Sequence, residues 1–105
     1  MTNDRIERFR ALTEKEPDNP LHRFALAQAC LGAGDWAQAE AAYARCLQLK
    51  PDWMTAAIKR GRCLIELQRW DEARASLDLG ADLATKQGHD EPWAEIRDLL
   101  AQLPE

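Results

Sequence analysis

The chain has 105 residues, enough for one domain with one modest core. Hydrophobic residues make up 46% and charged residues 30%, the balance of a soluble globular protein, and the net charge of −4 argues against non-specific nucleic-acid binding, which needs phosphate-neutralising Lys and Arg. No apolar run approaches the ~20 residues that span a bilayer, so membrane insertion is not expected.

Met1-Thr2-Asn3-Asp4-Arg5 leads into charged residues without an apolar stretch, so no secretory signal is expected. Residues 4–16 read as a first helix. Ile6, Phe9, Leu12 and Thr13 fall at helical spacing, with charges between them. Pro17 stops it, because a proline pushes the preceding Glu16 out of the α region.

Asn19-Pro20 opens the second helix, with Asn19 as cap and Pro20 in the first turn, where no N–H donor is needed. This helix runs through Leu21, Phe24, Leu26, Ala27, Cys30 and Leu31. It is apolar over most of its circumference, so neighbours must cover more than one side. Gly32-Ala33-Gly34 ends it. Asp35 caps the third helix, with Gln38 three positions on, close to a capping box. Trp36, Ala39, Tyr43, Cys46 and Leu47 make its stripe, and Lys50-Pro51 closes it.

Asp52 is the expected cap of the fourth helix, which carries Ala56, Ala57, Ile58, Gly61, Leu64 and Ile65. Gly61 inside a helix costs ~1 kcal/mol against alanine, so it implies a close helix–helix approach. The fifth helix runs from about Trp70 to Lys86 and ends at Gly88. Asp90 is the expected cap of a sixth, from Glu91 to about Leu103, with Trp93, Ile96, Leu99, Leu100 and Leu103 on its apolar face. No stretch alternates as a strand does. The short connections predict antiparallel neighbours.

Cys30, Cys46 and Cys63 are widely spaced and form no CxxC pair. An odd count among apolar neighbours predicts buried free thiols in a reducing compartment, hence a cytoplasmic protein.

Two stretches repeat one pattern. Trp36 and Trp70, Ala39 and Ala73, Pro17 and Pro51, and Phe9 and Tyr43 are all separated by the same interval in the numbering. That constant spacing, roughly 34 residues, lies in the range that marks a stacked helical array.

With these residues in register, the chain resembles tetratricopeptide repeat proteins, whose helix pair reads W-x2-L-G-x2-Y, then A-x3-F, then P. The first copy is Arg23, Leu26, Ala27 and Cys30, then Ala39 and Tyr43, then Pro51. The second is Ala57, Arg60, Gly61 and Leu64, then Ala73 and Leu77, with Thr85 where the closing proline would stand. The resemblance implies an all-α fold, a right-handed solenoid of antiparallel helix pairs with about six helices. It divides the chain into a leading half-repeat helix at 4–16, repeat one at 19–52, repeat two at 53–87 and a trailing helix at 90–103. It also places Trp36 and Trp70 in the core. Trp53 has no aromatic counterpart one repeat earlier, where Asn19 stands, and reads as helix-entry packing, with a partner anchor as the alternative.

Reactive motifs are absent: there is no glycine-rich phosphate loop, no HExxH and no nucleophile elbow. His22 and His89 are isolated, without metal-ligand spacing, and the many acids read as solvated helix faces. No catalysis, cofactor or metal is expected.

In the proteins this chain resembles, the first helices of successive pairs line a concave groove for a peptide or partner helix. Carried over by position, that groove takes Leu21, Phe24, Gln28 and Leu31, then Thr55, Ile58, Lys59, Arg62 and Ile65, with Glu91, Ala94, Glu95 and Asp98 from the trailing helix. An Arg62–Glu66 pair at i,i+4 is the competing, purely structural use of Arg62. One subgroup of the family clamps the C-terminal carboxylate of chaperones. At the matching positions Glu91 and Glu95 would repel a carboxylate, so the sequence argues against a chaperone tail. The expected function is a non-catalytic interaction module with another protein or peptide as partner. The alternative is an assembly subunit that associates through its end helices with a copy of itself or a larger complex.

Overall fold

The computed structural model describes residues 4–104. The opening Met1 to Asn3, on which the secretory-signal reading partly rests, lie outside them. Among the described residues six helices follow one another: α1 Asp4–Lys15, α2 Pro20–Gly32, α3 Trp36–Leu49, α4 Met54–Glu66, α5 Trp70–Gln87 and α6 Pro92–Leu100. Every described residue outside them is turn, bend or coil, and none is strand. Each helix packs on the next, and α6 also reaches back to α4.

The local chemistry sets most boundaries. Asn19 Oδ1 accepts from the Leu21 N–H at 3.0 Å, with Pro20 in the first turn of α2. Asp35 Oδ1 accepts from the Gln38 N–H at 3.2 Å and starts α3. The Gln38 amide returns to the Asp35 carboxylate, not to its backbone N–H as in a full capping box. α5 ends at Gly88 in the left-handed conformation (φ 70°).

Two expected caps are not used. α4 starts after Trp53 with no side-chain cap bond, and Asp52 instead offers its carbonyl to Gln87 Nε2 at 2.9 Å. α6 starts after Glu91, again uncapped by a side chain, with Asp90 a residue too early. In both cases the helix begins one residue later than the sequence suggests. α6 is also shorter than expected, yet Leu103 beyond it stays buried.

The α2–α3 and α4–α5 turns share one conformation. Gly34 has φ 75° and its counterpart in the next repeat, Gln68, has φ 59°. The backbone bonds repeat as well: Asp35 N–H donates to Cys30 O, and Arg69 N–H to Leu64 O, both at 2.9 Å. Only the first turn has a glycine for the left-handed position.

The interior falls into two clusters. One holds Leu26, Ala27, Cys30, Ala39, Tyr43, Cys46, Ala56 and Cys63, with Phe9 and Phe24 against it. The other holds Ile58, Leu64, Ala73, Leu77, Ile96 and Leu99. α4 contributes to both and joins them. Trp36 and Trp70, expected inside, are half-buried and pack on the flanks of the two clusters. Small residues and Tyr43, not the tryptophans, hold the centre of the helix contacts: Ala27, Ala39, Ala56, Ala57 and Ala73 are fully buried, as is Tyr43. Trp93 is half-buried too. Trp53 packs at the start of α4, stacked on Phe24 with ring centroids 4.6 Å apart.

The three cysteines are free and buried, as the spacing predicts. Burial pushes their thiols up, Cys46 to about 11 and Cys63 to about 12, so none is a ready nucleophile.

Candidate functional site

α2 and α4 are the first helices of successive pairs, and an open cleft of about 530 Å³ lies between them. Gln28 and Leu31 of α2 form one wall, and Lys59 and Arg62 of α4 the other. Trp36 and Tyr43 of α3 close it from behind, and Gly32 and Gly34 flank its end. The helical period explains the pairing: Gln28 and Leu31 are a turn apart on α2, as Lys59 and Arg62 are on α4.

Charge around the cleft is uneven. Both titratable side chains on its walls that carry charge at neutral pH, Lys59 and Arg62, are cationic. Lys59 Nζ is tied to Glu95 Oε1 of α6 at 2.9 Å, a bond that links the trailing helix to the groove wall. The Arg62–Glu66 pair does not form. The Arg62 guanidinium lies over the Trp36 ring, 5.8 Å from its centroid. Among the described residues it has no carboxylate partner. Tyr43 is fully buried, and its hydroxyl has no hydrogen-bond partner among the described residues. Burial pushes the Tyr43 pKa well up, so the hydroxyl stays protonated.

The expected groove residues divide among different places. Gln28, Lys59 and Arg62 meet in the cleft. Phe24 is half-buried, held between Trp53 and the edge of Tyr43, whose ring centroid is 5.7 Å away. Leu21 is 70% exposed at the start of α2. Thr55 lines a separate depression with Lys50, Trp53, Met54, Gln87 and His89, of about 490 Å³. Asp98 lies exposed on α6. Ile58 is the clear correction: it is 3% exposed and packs on Gly80 of α5, so it belongs to the core. Ile65 is buried in the same cluster.

The repeat pattern gives Trp36 and Tyr43 core positions and no hint of their part in the cleft. One signal exists for Tyr43. Its counterpart in the next repeat is Leu77, so a hydroxyl stands where the repeat is satisfied by a plain hydrocarbon.

A second feature escapes the sequence. Glu40 of α3 is buried, and its carboxylate takes Arg60 Nε at 2.9 Å and Arg69 Nη1 at 3.1 Å. Arg69 also pairs with Glu72. This network ties the first helix pair to the second, so Glu40 is not one of the solvated acids that its sequence context suggests.

Among the described residues no group of three or more His, Cys, Asp or Glu could hold a metal ion. No described helix is long and apolar enough to cross a membrane.

Comparison with known proteins places this geometry. Residues 1–79 match the family model described as anaphase-promoting complex, cyclosome, subunit 3. No curated protein matches the chain. Among solved structures, the fold is similar to the TPR2B-domain:pHsp70 complex of yeast Sti1, with TM-score 0.82 and 15% identity over 92% of this chain and 78% of that one. It is also similar to a tetratricopeptide repeat domain protein from Salinibacter ruber, with TM-score 0.69 and 26% identity over 82% of this chain and 87% of that one. These likenesses establish an all-α tetratricopeptide-repeat fold. The exclusion of a chaperone tail does not hold. One similar fold is recorded as a complex with pHsp70, and Glu95, counted as a repelling acid, is neutralised by Lys59.

Proposed function

The chain belongs to the tetratricopeptide-repeat family matched over residues 1–79, and from that premise we propose that it is a non-catalytic protein-interaction module whose α2–α4 cleft receives a segment of a partner protein. The observation that carries this reading is the cleft itself: apolar at Leu31 and Trp36, cationic at Lys59 and Arg62, and open to solvent. A pre-formed groove binds an extended or helical segment without reordering its own backbone, which keeps the entropic cost low. That one similar fold is a domain in complex with pHsp70 supports the same reading.

We read the repeat boundaries as the period gives them: a leading helix at 4–16, repeats at 19–52 and 53–87, and a trailing helix at 90–103. Three free, buried thiols support a reducing compartment, for which the cytoplasm is our assignment. Assembly through the end helices is the weaker alternative, since α1 presents exposed Arg5, Glu7 and Arg8 at one end.

The test is affinity capture from the native source with the wild-type chain, Arg62→Glu and Arg74→Glu. Arg74 is exposed on α5 and does not line the cleft. The bound proteins are expected to be lost with Arg62→Glu and kept with Arg74→Glu. Equal capture by all three would contradict the groove.

A further inference from the structure

The two ends of the described array are the two halves of one repeat. α1 stands where the second helix of a pair would stand, and α6 where a first helix would. Set against each other, α6 of one copy and α1 of the next would complete a helix pair. Such a head-to-tail contact uses a different surface on each copy and does not close, so it would grow into a filament.

Inside the array, that pairing depends on small residues. Gly61 of α4 meets α5 so closely that an added Cβ would lie 2.7 Å from Leu77 and 3.6 Å from the Ala73 carbonyl oxygen. In the first pair Ala27 and Ala39 hold the same two places, both fully buried. Lys59 and Glu95 stand two residues before Gly61 and Arg97, and they meet at 2.9 Å across the α4–α6 contact. Arg97 is thereby in register with Gly61. At the other end the repeat interval puts Arg5 in register with Ala39 and Ala73. Both arginines are exposed.

The surfaces around them keep the repeat's apolar pattern. Trp93 and Leu100 are half-buried where Ala57 and Leu64 are fully buried, and Phe9 and Leu12 are half-buried where Tyr43 and Cys46 are fully buried. Each end therefore carries an unfinished apolar strip with a guanidinium at its centre. Stacked copies would set Arg97 against Arg5 at the place where the interior has glycine or alanine against alanine. Two guanidinium groups do not fit at that spacing, and taking like charges out of water together is unfavourable. A solenoid end needs such a block for the same reason that an exposed sheet edge does.

Independently of the groove reading, we propose that Arg5 and Arg97 keep copies of this chain from stacking α6 on α1, so that the array stays monomeric.

Sedimentation equilibrium of the full chain, up to ~1 mM to reach weak association, is the test. Wild type, Arg5→Ala and Arg97→Ala are each expected to remain monomeric, since every contact between like copies retains an arginine. An equimolar mixture of the two single variants gains one arginine-free contact, α6 of Arg97→Ala with α1 of Arg5→Ala. Its other ends stay blocked, so the weight-average mass should rise toward twice the monomer and stop there. The double variant carries that contact at both ends and should grow further with concentration. Arg74→Ala loses an exposed arginine of α5 and should pair with neither single variant. Circular dichroism should show wild-type helix content in every variant, because the replaced side chains are exposed; serine at both positions should reproduce the pattern. A wild type whose mass climbs with concentration overturns the proposal, as does a single variant that associates alone. A folded mixture or double variant that stays monomeric overturns it as well. Equal association of the Arg74→Ala mixtures would mean that lost charge alone is responsible, and would also overturn it.

Discussion

Leu77 of α5 rests directly on Gly61 of α4: a Cβ added at Gly61 would stand 2.7 Å from both Cγ and Cδ2 of Leu77. The relationship is reciprocal, since Ile58 of α4 rests on Gly80 of α5, where a Cβ would come within 2.8 Å of Ile58 Cγ1. The two helices interlock by setting a branched side chain against a glycine at neighbouring levels. Leu77 is fully buried and has nowhere to retreat. Gly61→Ala gains ~1 kcal/mol of helix propensity and loses ~1–3 kcal/mol to overpacking, for an expected net loss of up to about 2 kcal/mol. Gly32→Ala is the contrast. Nothing lies within 4 Å of its added Cβ, and a gain of about 0.5 kcal/mol is expected. Urea melts of the two variants should move in opposite directions.

The turn after α4 carries a residue that does not suit it. Gln68 has φ 59°, where a side chain is disfavoured by ~1–2 kcal/mol, and its counterpart Gly34 meets the same geometry freely. Gln68→Gly is therefore expected to raise the unfolding free energy by up to about 1 kcal/mol, and Gly34→Gln to lower it by a similar amount. Equilibrium denaturation measures both.

The buried thiols make stability depend on alkaline pH. An unfolded cysteine ionises near ~8.5, whereas burial holds Cys46 at about 11 and Cys63 at about 12 in the fold. Between those values the folded chain keeps protons that the unfolded chain has released, so it binds more protons and loses stability as pH rises. The contribution is whole below ~8.5 and falls by ~1.4 kcal/mol per pH unit per thiol above it. Melts at pH 8 to 10 should show this decline, and Cys63→Ala should flatten it. Thiol reagents at pH 7 should label native protein slowly and denatured protein at once.

Glu40 is predicted to matter more than its surface-like sequence suggests. Its carboxylate serves Arg60 and Arg69 together. Glu40→Ala leaves two cations facing each other without their shared anion, and should lower the midpoint more than Arg60→Ala or Arg69→Ala. The Arg60→Ala, Glu40→Ala cycle measures the coupling directly.

The helices and their order were legible because their signals are local. Asn19-Pro20 and Asp35 with Gln38 each act within a turn or two, and the constant repeat interval then sets the helix pairs in register. Gly61 was legible as a close contact because a helical glycine needs a reason. The site was legible only in part, since it depends on pairings across helices. Ile58 reads as groove-facing until Gly80, on the following helix, is seen to receive it. The burial of Glu40 depends on Arg60 and Arg69, 20 and 29 residues away. The aromatics misled for a related reason: the repeat gives Trp36 and Trp70 an inward register, but alanines and glycines bring the backbones so close that the indoles remain at the edge.

The central claim is that partners meet the chain at the α2–α4 cleft, and site-specific photo-crosslinking in the source cells tests it most directly. A photoreactive residue is placed in turn at Gln28, at Arg62 and at the exposed α5 positions Arg74 and Ala75. The expected result is a shared set of adducts from Gln28 and Arg62 and none from Arg74 or Ala75. Adducts from the α5 positions alone would contradict it.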